Sequence, residues 1–356
     1  MKASYIFVFV LISFGIKNAD AQKQNSVNAH FTTWYENKAG AISISFDDAS
    51  YTQYEYAYPI LEKFKLKATF SLVGEWTEEY PSFSAEPGCF EIQKMGWKQL
   101  AELANDGNEI AAHGYFHKKY DKNKAVPELA SEMRKMITLI ESEIHTKVYT
   151  LHYPYSYASV NIPIAAKEAG FLFGRTGLDI VNSANPRQMY LLASNAILNN
   201  ESPDSLKFQK WIDQAKGNWL ILIYHHLFPK HSKEMELIRF HQVKNCYSLL
   251  PETFEKQMEM IIASRYWAAP IASIGKYITE RNNTEIKTVV GKKKIYIYTF
   301  TNLDTSIYNQ ALTIEIELNW KKAKIEGSLQ DGIVEIQNNK LLVNILPENE
   351  LILSKE

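Results

Sequence analysis

Ala41-Ile42-Ser43-Ile44-Ser45-Phe46-Asp47-Asp48-Ala49 is the stretch from which the fold can be read. A short apolar run with β-branched residues at alternate positions predicts a strand, and this one ends in two adjacent carboxylates. Like charges side by side are costly unless a cation or hydrogen-bond donors receive them. In parallel α/β folds, ligand sites lie at the carboxyl ends of strands. Taken alone, the same Asp pair would serve equally well as a helix cap or a turn.

Further along the chain, β-rich runs alternate with helical periodicity up to about Asn283, which predicts an α/β domain. Strands are expected over Ala41–Phe46, Lys67–Val73, Asn108–His113, Val148–Tyr153, Phe171–Arg175, Trp219–His225 and Trp267–Ile271. The clearest helix is 126–145, with Pro127 in its first turn and Leu129, Met133, Met136, Ile137, Ile140 and Ile144 on one face. Beyond Asn283, alternating runs over 293–300, 311–318, 332–336 and 340–345 predict a small all-β appendage. The expected division is 22–283 for the α/β domain and 284–356 for the β domain.

Two more strand ends carry unusual chemistry. His113-Gly114-Tyr115-Phe116-His117 follows the third strand, and two imidazoles four residues apart can converge on one ion if Gly114 turns the chain. Leu220-Ile221-Leu222-Ile223-Tyr224-His225-His226 is a strongly apolar strand that ends in two histidines. Each pair alone would pass as surface or core histidines. One Asp with two His supplies the N/N/O set of a catalytic zinc site, which leaves a position open for water.

These segments, in this order, resemble the NodB-type polysaccharide deacetylases, carbohydrate esterase family 4. Ser45-Phe46-Asp47-Asp48-Ala49 is similar to the family's first motif, with Ala49 in place of Gly. His113 to His117 is similar to its second, with Gly114 in place of Ser or Thr. His152-Tyr153-Pro154-Tyr155 matches the third in part, and Leu220 to His225 the last. The resemblance covers residues 41–283 and implies that Asp48, His113 and His117 hold the metal. It further implies that Asp47 is the general base, that His225 is the general acid and that the Tyr155 backbone N–H binds the oxyanion. Tyr153 and Pro154 then fall at the substrate. In the family an Arg of the third motif orients the catalytic Asp. His152 stands there instead, and Arg175, at the next strand end, is the expected substitute. The family's Asp-Trp pair beside the acidic His has only Asp179-Ile180 as a counterpart.

The resulting expectation is a distorted (β/α) barrel of about seven strands with a small C-terminal all-β domain. Its expected activity is metal-dependent removal of acetyl groups from a polysaccharide or oligosaccharide. N-deacetylation of an amino-sugar glycan is favoured. An O-acetyl polysaccharide esterase is the alternative within enzymes, and a non-catalytic glycan-binding protein the alternative outside them. Zn²⁺ suits two histidines and one aspartate, although cobalt or nickel would accept the same set.

Composition points to no strong electrostatic partner. Thirty-nine Lys and Arg balance 40 Asp and Glu for a net charge of −1, so the basic excess that nucleic-acid binding requires is missing. Met1-Lys2, the apolar stretch from Tyr5 to Ile16 and Ala19-Asp20-Ala21 read as a secretory signal peptide over residues 1–21. Export to the periplasm or the medium is therefore expected, with no integral membrane segment after cleavage. The two cysteines, Cys89 and Cys246, are free to pair in such a compartment, but two in so long a chain make no disulfide scaffold.

Overall fold

A computed structural model describes residues 27–78, 83–84, 89–197, 205–240 and 246–356. The signal-peptide expectation concerns residues outside this set. Among the described residues no helix is long and apolar enough to cross a membrane.

The α/β domain is built on parallel strands β1 (Ala41–Phe46), β2 (Thr69–Leu72), β3 (Glu109–Ala112), β4 (Thr150–His152), β5 (Phe173–Arg175), β6 (Asn195–Ala196) and β7 (Asn218–Tyr224). They hydrogen-bond in the order β6-β7-β1-β2-β3-β4-β5, and an eighth short strand, β8 (Trp267–Ala268), pairs with the start of β1. Where β5 and β6 leave the ring open, a bridge from Arg175 to Leu192 closes it. The Thr176 N–H donates to Leu192 O, and the Leu192 N–H to Gly174 O, at 2.8 Å each. This is the distorted barrel expected from the sequence, with Ala41–Phe46 as expected and the other strand ends differing by up to three residues. β6 was not expected, because two residues are too few to show a period.

β1 is buried along its whole length, as parallel strands covered on both faces are. Ile42, Ile44 and Phe46 pack outward on helix residues such as Leu61, Phe254 and Met258. Ser43 and Ser45 satisfy their hydroxyls on the backbone, donating to Ala269 O at 2.8 Å and Leu222 O at 2.6 Å. The helix Val126–Ile144 buries Leu129, Met133, Met136, Ile140 and Ile144 and stops at His145, which takes a left-handed conformation. At the amino end of the strands, the helix Ile271–Asn283 plugs the barrel. Its first N–H groups would be orphaned in an apolar interior. Glu109 of β3 accepts from the Ala272 N–H, Thr69 from the Ile271 N–H, and Glu109 is further held by Thr69 and Thr150 hydroxyls.

The strands beyond Asn283, together with Ala29–Phe31, form two antiparallel sheets that enclose a separate apolar core of Ile297, Ile314, Ile316, Val343, Ile345 and Leu351. Four strands here were not anticipated: Thr284–Val290, Lys322–Glu326, Glu350–Lys355 and Ala29–Phe31. The last lies near the other end of the chain. It pairs antiparallel with Leu312–Glu317, so the 22–283 segment contributes an edge strand to the β domain. Such a pairing has no local signature, because its partner is nearly three hundred residues away.

The two parts share an interface on the plugging helix. Lys276 donates to Ile307 O and Asn309 Oδ1, the Gln310 N–H donates to Glu280, and Tyr277 bonds Thr32. Glu280 is fully buried there. A chain ended at Asn283 should therefore lose several kcal/mol of packing. At ~2–4 °C per kcal/mol, its melting temperature should fall by roughly 10 °C. An unchanged melting temperature in calorimetry would show instead that the β domain is an independent module.

Candidate active site

The chemistry-bearing residues singled out in the sequence meet at the carboxyl ends of β1, β3, β4, β5 and β7. The turn after β1 places Asp48 and Ala49 in left-handed backbone, with φ of 71° and 46°. His117, Tyr155 and Ser156 are also left-handed. Such conformations cost ~1 kcal/mol or more for residues with a Cβ, and they gather here around one point. Gly114 has a φ of +75°, and a Cβ on it would come within 3.2 Å of Pro154. That accounts for Gly where the family carries a hydroxyl residue.

The two neighbouring carboxylates have separate surroundings. Asp48 Oδ1 lies 3.6 Å from His113 Nε2 and 3.5 Å from His117 Nε2, with all three residues buried. The His113 Nδ1 faces the His152 carbonyl at 2.9 Å. A carbonyl only accepts, so Nδ1 carries the proton and Nε2 presents its lone pair toward Asp48. Ligand atoms about 2.0–2.2 Å from a tetrahedral ion sit ~3.4 Å from one another. The spacing and the donor types both fit a divalent cation, so the residues present suit the ion that the sequence implied. Burial lowers the pKa of His117 to about 4 against the opposing pull of Asp48, which keeps the ring neutral, as a metal ligand must be.

Asp47 is instead held by donors. Arg175 Nη2 lies 2.6 Å from both carboxylate oxygens, His152 Nδ1 lies 2.8 Å from Oδ1, and the Ser71 hydroxyl donates to Oδ1 at 2.9 Å. Burial pushes the Asp47 pKa up, but the Arg175 charge first, helped by the His152 hydrogen bond, outweighs it and holds the carboxyl well below its ordinary range. Arg175 and His152 thus share the work expected of Arg175 alone. The guanidinium uses one terminal nitrogen for both oxygens, not the parallel pair of nitrogens that a forked contact would use. His152 is fully buried, and desolvation first, then Arg175, lowers its pKa to about 3. It acts as a neutral donor.

His225 closes the group from β7, with Nε2 4.0 Å from Asp47 Oδ2. Burial lowers its pKa, while Asp47 and Asp48 oppose that shift. Gln53 ties the two walls together, donating to Asp47 O at 2.6 Å and His225 O at 2.7 Å. Tyr155 is half exposed, and its ring packs 4.7 Å from that of His117.

Tyr153 and Pro154 need correcting. Tyr153 is fully buried, its hydroxyl donates to Tyr190 O at 2.9 Å, and Pro154 is buried against Gly114. Neither side chain is open to a sugar, and both serve to hold the turn that presents Tyr155. Trp219 is likewise core. The Trp76 ring lies 5.0 Å from that of His117, whereas Ser71 and Gln53 were not read from the sequence. Ser71 had a usable signal, a hydroxyl at the carboxyl end of an apolar strand. The cysteines, Cys89 and Cys246, are joined as a disulfide.

The polysaccharide deacetylase family profile matches residues 35–174. A stretch of 143 residues is 32% identical to the poly-β-1,6-N-acetyl-D-glucosamine N-deacetylase of Staphylococcus aureus, covering 38% of this chain and 47% of that one. The chain spans about half the length of the curated relatives it matches. Among solved structures it is similar to a Streptococcus pyogenes deacetylase in complex with acetate (22% identity, 49% of this chain and 69% of that one, TM-score 0.41). It is also similar to the esterase family 4 domain of a multidomain xylanase from the hindgut metagenome of Trinervitermes trinervoides (16% identity, 66% and 89%, TM-score 0.42). The matched residues 35–174 include Asp47, Asp48, His113, His117 and His152, so over the stretch that carries most of the site the chain is similar to the polysaccharide deacetylase family.

Proposed function

We propose that the protein hydrolyses N-acetyl groups on an amino-sugar glycan in a metal-dependent reaction. The observation that carries this reading is the separation of the two carboxylates. Asp48 faces two histidine lone pairs, while Asp47, beside it, is fixed by cationic and neutral donors and pointed at the same space. The 32% identity to an N-acetylglucosamine N-deacetylase favours the amide over the ester.

Asp48, His113 and His117 would hold Zn²⁺, which when bound polarises the acetyl carbonyl and lowers the pKa of a water toward about 7. Asp47, ionised at neutral pH, takes the proton of the attacking water. The Tyr155 backbone N–H, in the turn fixed by Pro154, stabilises the negative charge that develops on the carbonyl oxygen. His225 gives a proton to the leaving nitrogen as the carbon–nitrogen bond breaks, and acetate and a free amine result.

Acetate release from β-1,6-linked N-acetylglucosamine oligomers and from O-acetylated xylan, each with and without chelator, tests the reading. Chelator-sensitive release from the first and little from the second is expected. The reverse preference would make the protein an ester hydrolase, and no release from either would leave a glycan-binding role.

The pH profile follows from the Asp47 partners. Arg175 is the largest of the influences that lower the Asp47 pKa, so Arg175→Ala should raise it. The acidic limb of the pH–rate profile should then move to higher pH, with turnover at neutral pH down about 10- to 100-fold and zinc content unchanged. His152→Ala removes a neutral donor and should cost less. An inactive His152→Ala beside an unaffected Arg175→Ala would reverse the order of the two.

A further inference from the structure

The proposed reaction leaves one requirement unmet and one feature of the fold unused. The requirement is a brace for His225. A proton donor must be held within hydrogen-bond reach of the atom it serves, and two other imidazoles of the site, those of His113 and His152, are held by hydrogen bonds. His113 Nδ1 is fixed on His152 O and His152 Nδ1 on Asp47. His225 Nδ1 is buried with no hydrogen-bond partner among the described residues. The Asp179-Ile180 pair, the only counterpart of the family's brace, does not supply one. The Asp179 carboxylate accepts from the Ala196 N–H at 3.4 Å, and Ile180 is 57% exposed.

The unused feature is the Cys89–Cys246 disulfide, which joins residues 157 positions apart. The residue after Cys246 is Tyr247, whose ring lies 5.0 Å from that of His225. The backbone beside it is paired to the segment leaving His225. The His226 N–H donates to Tyr247 O at 3.1 Å, and His226-Leu227 run parallel with Ser248-Leu249. Two residues of pairing are weak on their own. Cys246 adds a small apolar cluster with Ile92, Phe228, Met235 and Ile238, on which Cys89 and Phe90 pack. From Cys89 the chain runs to Lys94 and Met95. Lys94 forms a bridge with Ser50, and the Met95 N–H donates to Ala49 O at 2.7 Å. Ala49 and Ser50 directly follow Asp47 and Asp48. The disulfide therefore ties the wall that carries the carboxylates to the wall that carries His225.

We propose that this disulfide, acting through Tyr247, is the brace that positions the His225 ring for proton donation, in place of the Asp-Trp pair. The inference rests on the reading of His225 as proton donor, and Tyr247 and the cysteines are positioning residues. In the step they serve, water oxygen bonds to the acetyl carbon and the bond from that carbon to the leaving atom breaks. The leaving atom takes the bonding pair and then the His225 proton. A 4-nitrophenolate leaves readily without that proton, whereas an alkoxide or amide nitrogen does not.

The test is the dependence of turnover on the leaving group, which does not require the natural glycan. The full-length zinc-loaded protein is assayed on 4-nitrophenyl, phenyl and trifluoroethyl acetates, with zinc content measured in parallel. The variants are His225→Ala, Tyr247→Leu and the double Cys89→Ser/Cys246→Ser. Loss of a general acid costs about 100-fold or more on the poorest leaving group. His225→Ala should show that loss on trifluoroethyl acetate with only a few-fold loss on 4-nitrophenyl acetate. Tyr247→Leu and the double Cys variant should show the same selectivity at about 10-fold, with zinc unchanged. If His225→Ala is selective and the other two match wild type, or lose all three esters equally, the brace is refuted and the donor reading stands. If His225→Ala itself loses all three equally, the donor reading falls and takes the brace with it.

Discussion

Asp47→Asn should retain about one equivalent of bound zinc and lose two to four orders of magnitude in turnover, the usual contribution of a general base. The amide is nearly the same size as the carboxylate. It can still accept from Arg175, His152 and Ser71, which now hold the Asp47 oxygens at 2.6–2.9 Å. It cannot take a proton. Asp48 faces His113 and His117, not those donors, so the metal set should survive the change. Elemental analysis beside acetate release separates the two roles. Retained turnover would mean that another base acts, and lost zinc that the two carboxylates have exchanged roles.

His113→Ala and His117→Ala should have the opposite signature, with zinc falling well below one equivalent and turnover falling with it. Each removes one of three protein ligands, and two ligands do not make a site that competes with water. His113→Ala should be the more severe. Its Nδ1 also occupies the His152 carbonyl, on the strand whose side chain holds Asp47, so both halves of the site are disturbed. Circular dichroism should stay close to wild type, because the barrel core packs behind these side chains. Full zinc occupancy in both variants would remove them from the metal site.

Most of the barrel and most of the site could be read in the sequence for one physical reason. A parallel strand covered on both faces must be free of charge and largely apolar, so a charged or imidazole residue at its end stands out. Ala41–Phe46 ending in Asp47-Asp48 and Asn218–Tyr224 ending in His225 are both of this kind. Partners that are ordinary in composition did not stand out. Ser71 and Gln53 acquire their roles only when the strands close up, and His152 looked like a lost arginine until its Nδ1 was placed on Asp47. Tyr153 misled because the motif resemblance places it at the substrate, whereas its ring is buried and its hydroxyl has an acceptor in Tyr190 O. The pairing of Ala29–Phe31 with Leu312–Glu317 and the Cys89–Cys246 link lie beyond any local pattern, since both depend on how distant segments meet.

The central claim is that one metal ion, held beside Asp47, is required for deacetylation. Zinc should be stripped with chelator, the chelator removed, and acetate release followed as zinc is added back in fractions of an equivalent. Activity should be absent in the stripped protein, rise in proportion to added zinc and level off at one equivalent. Full activity in the metal-free protein would contradict the account.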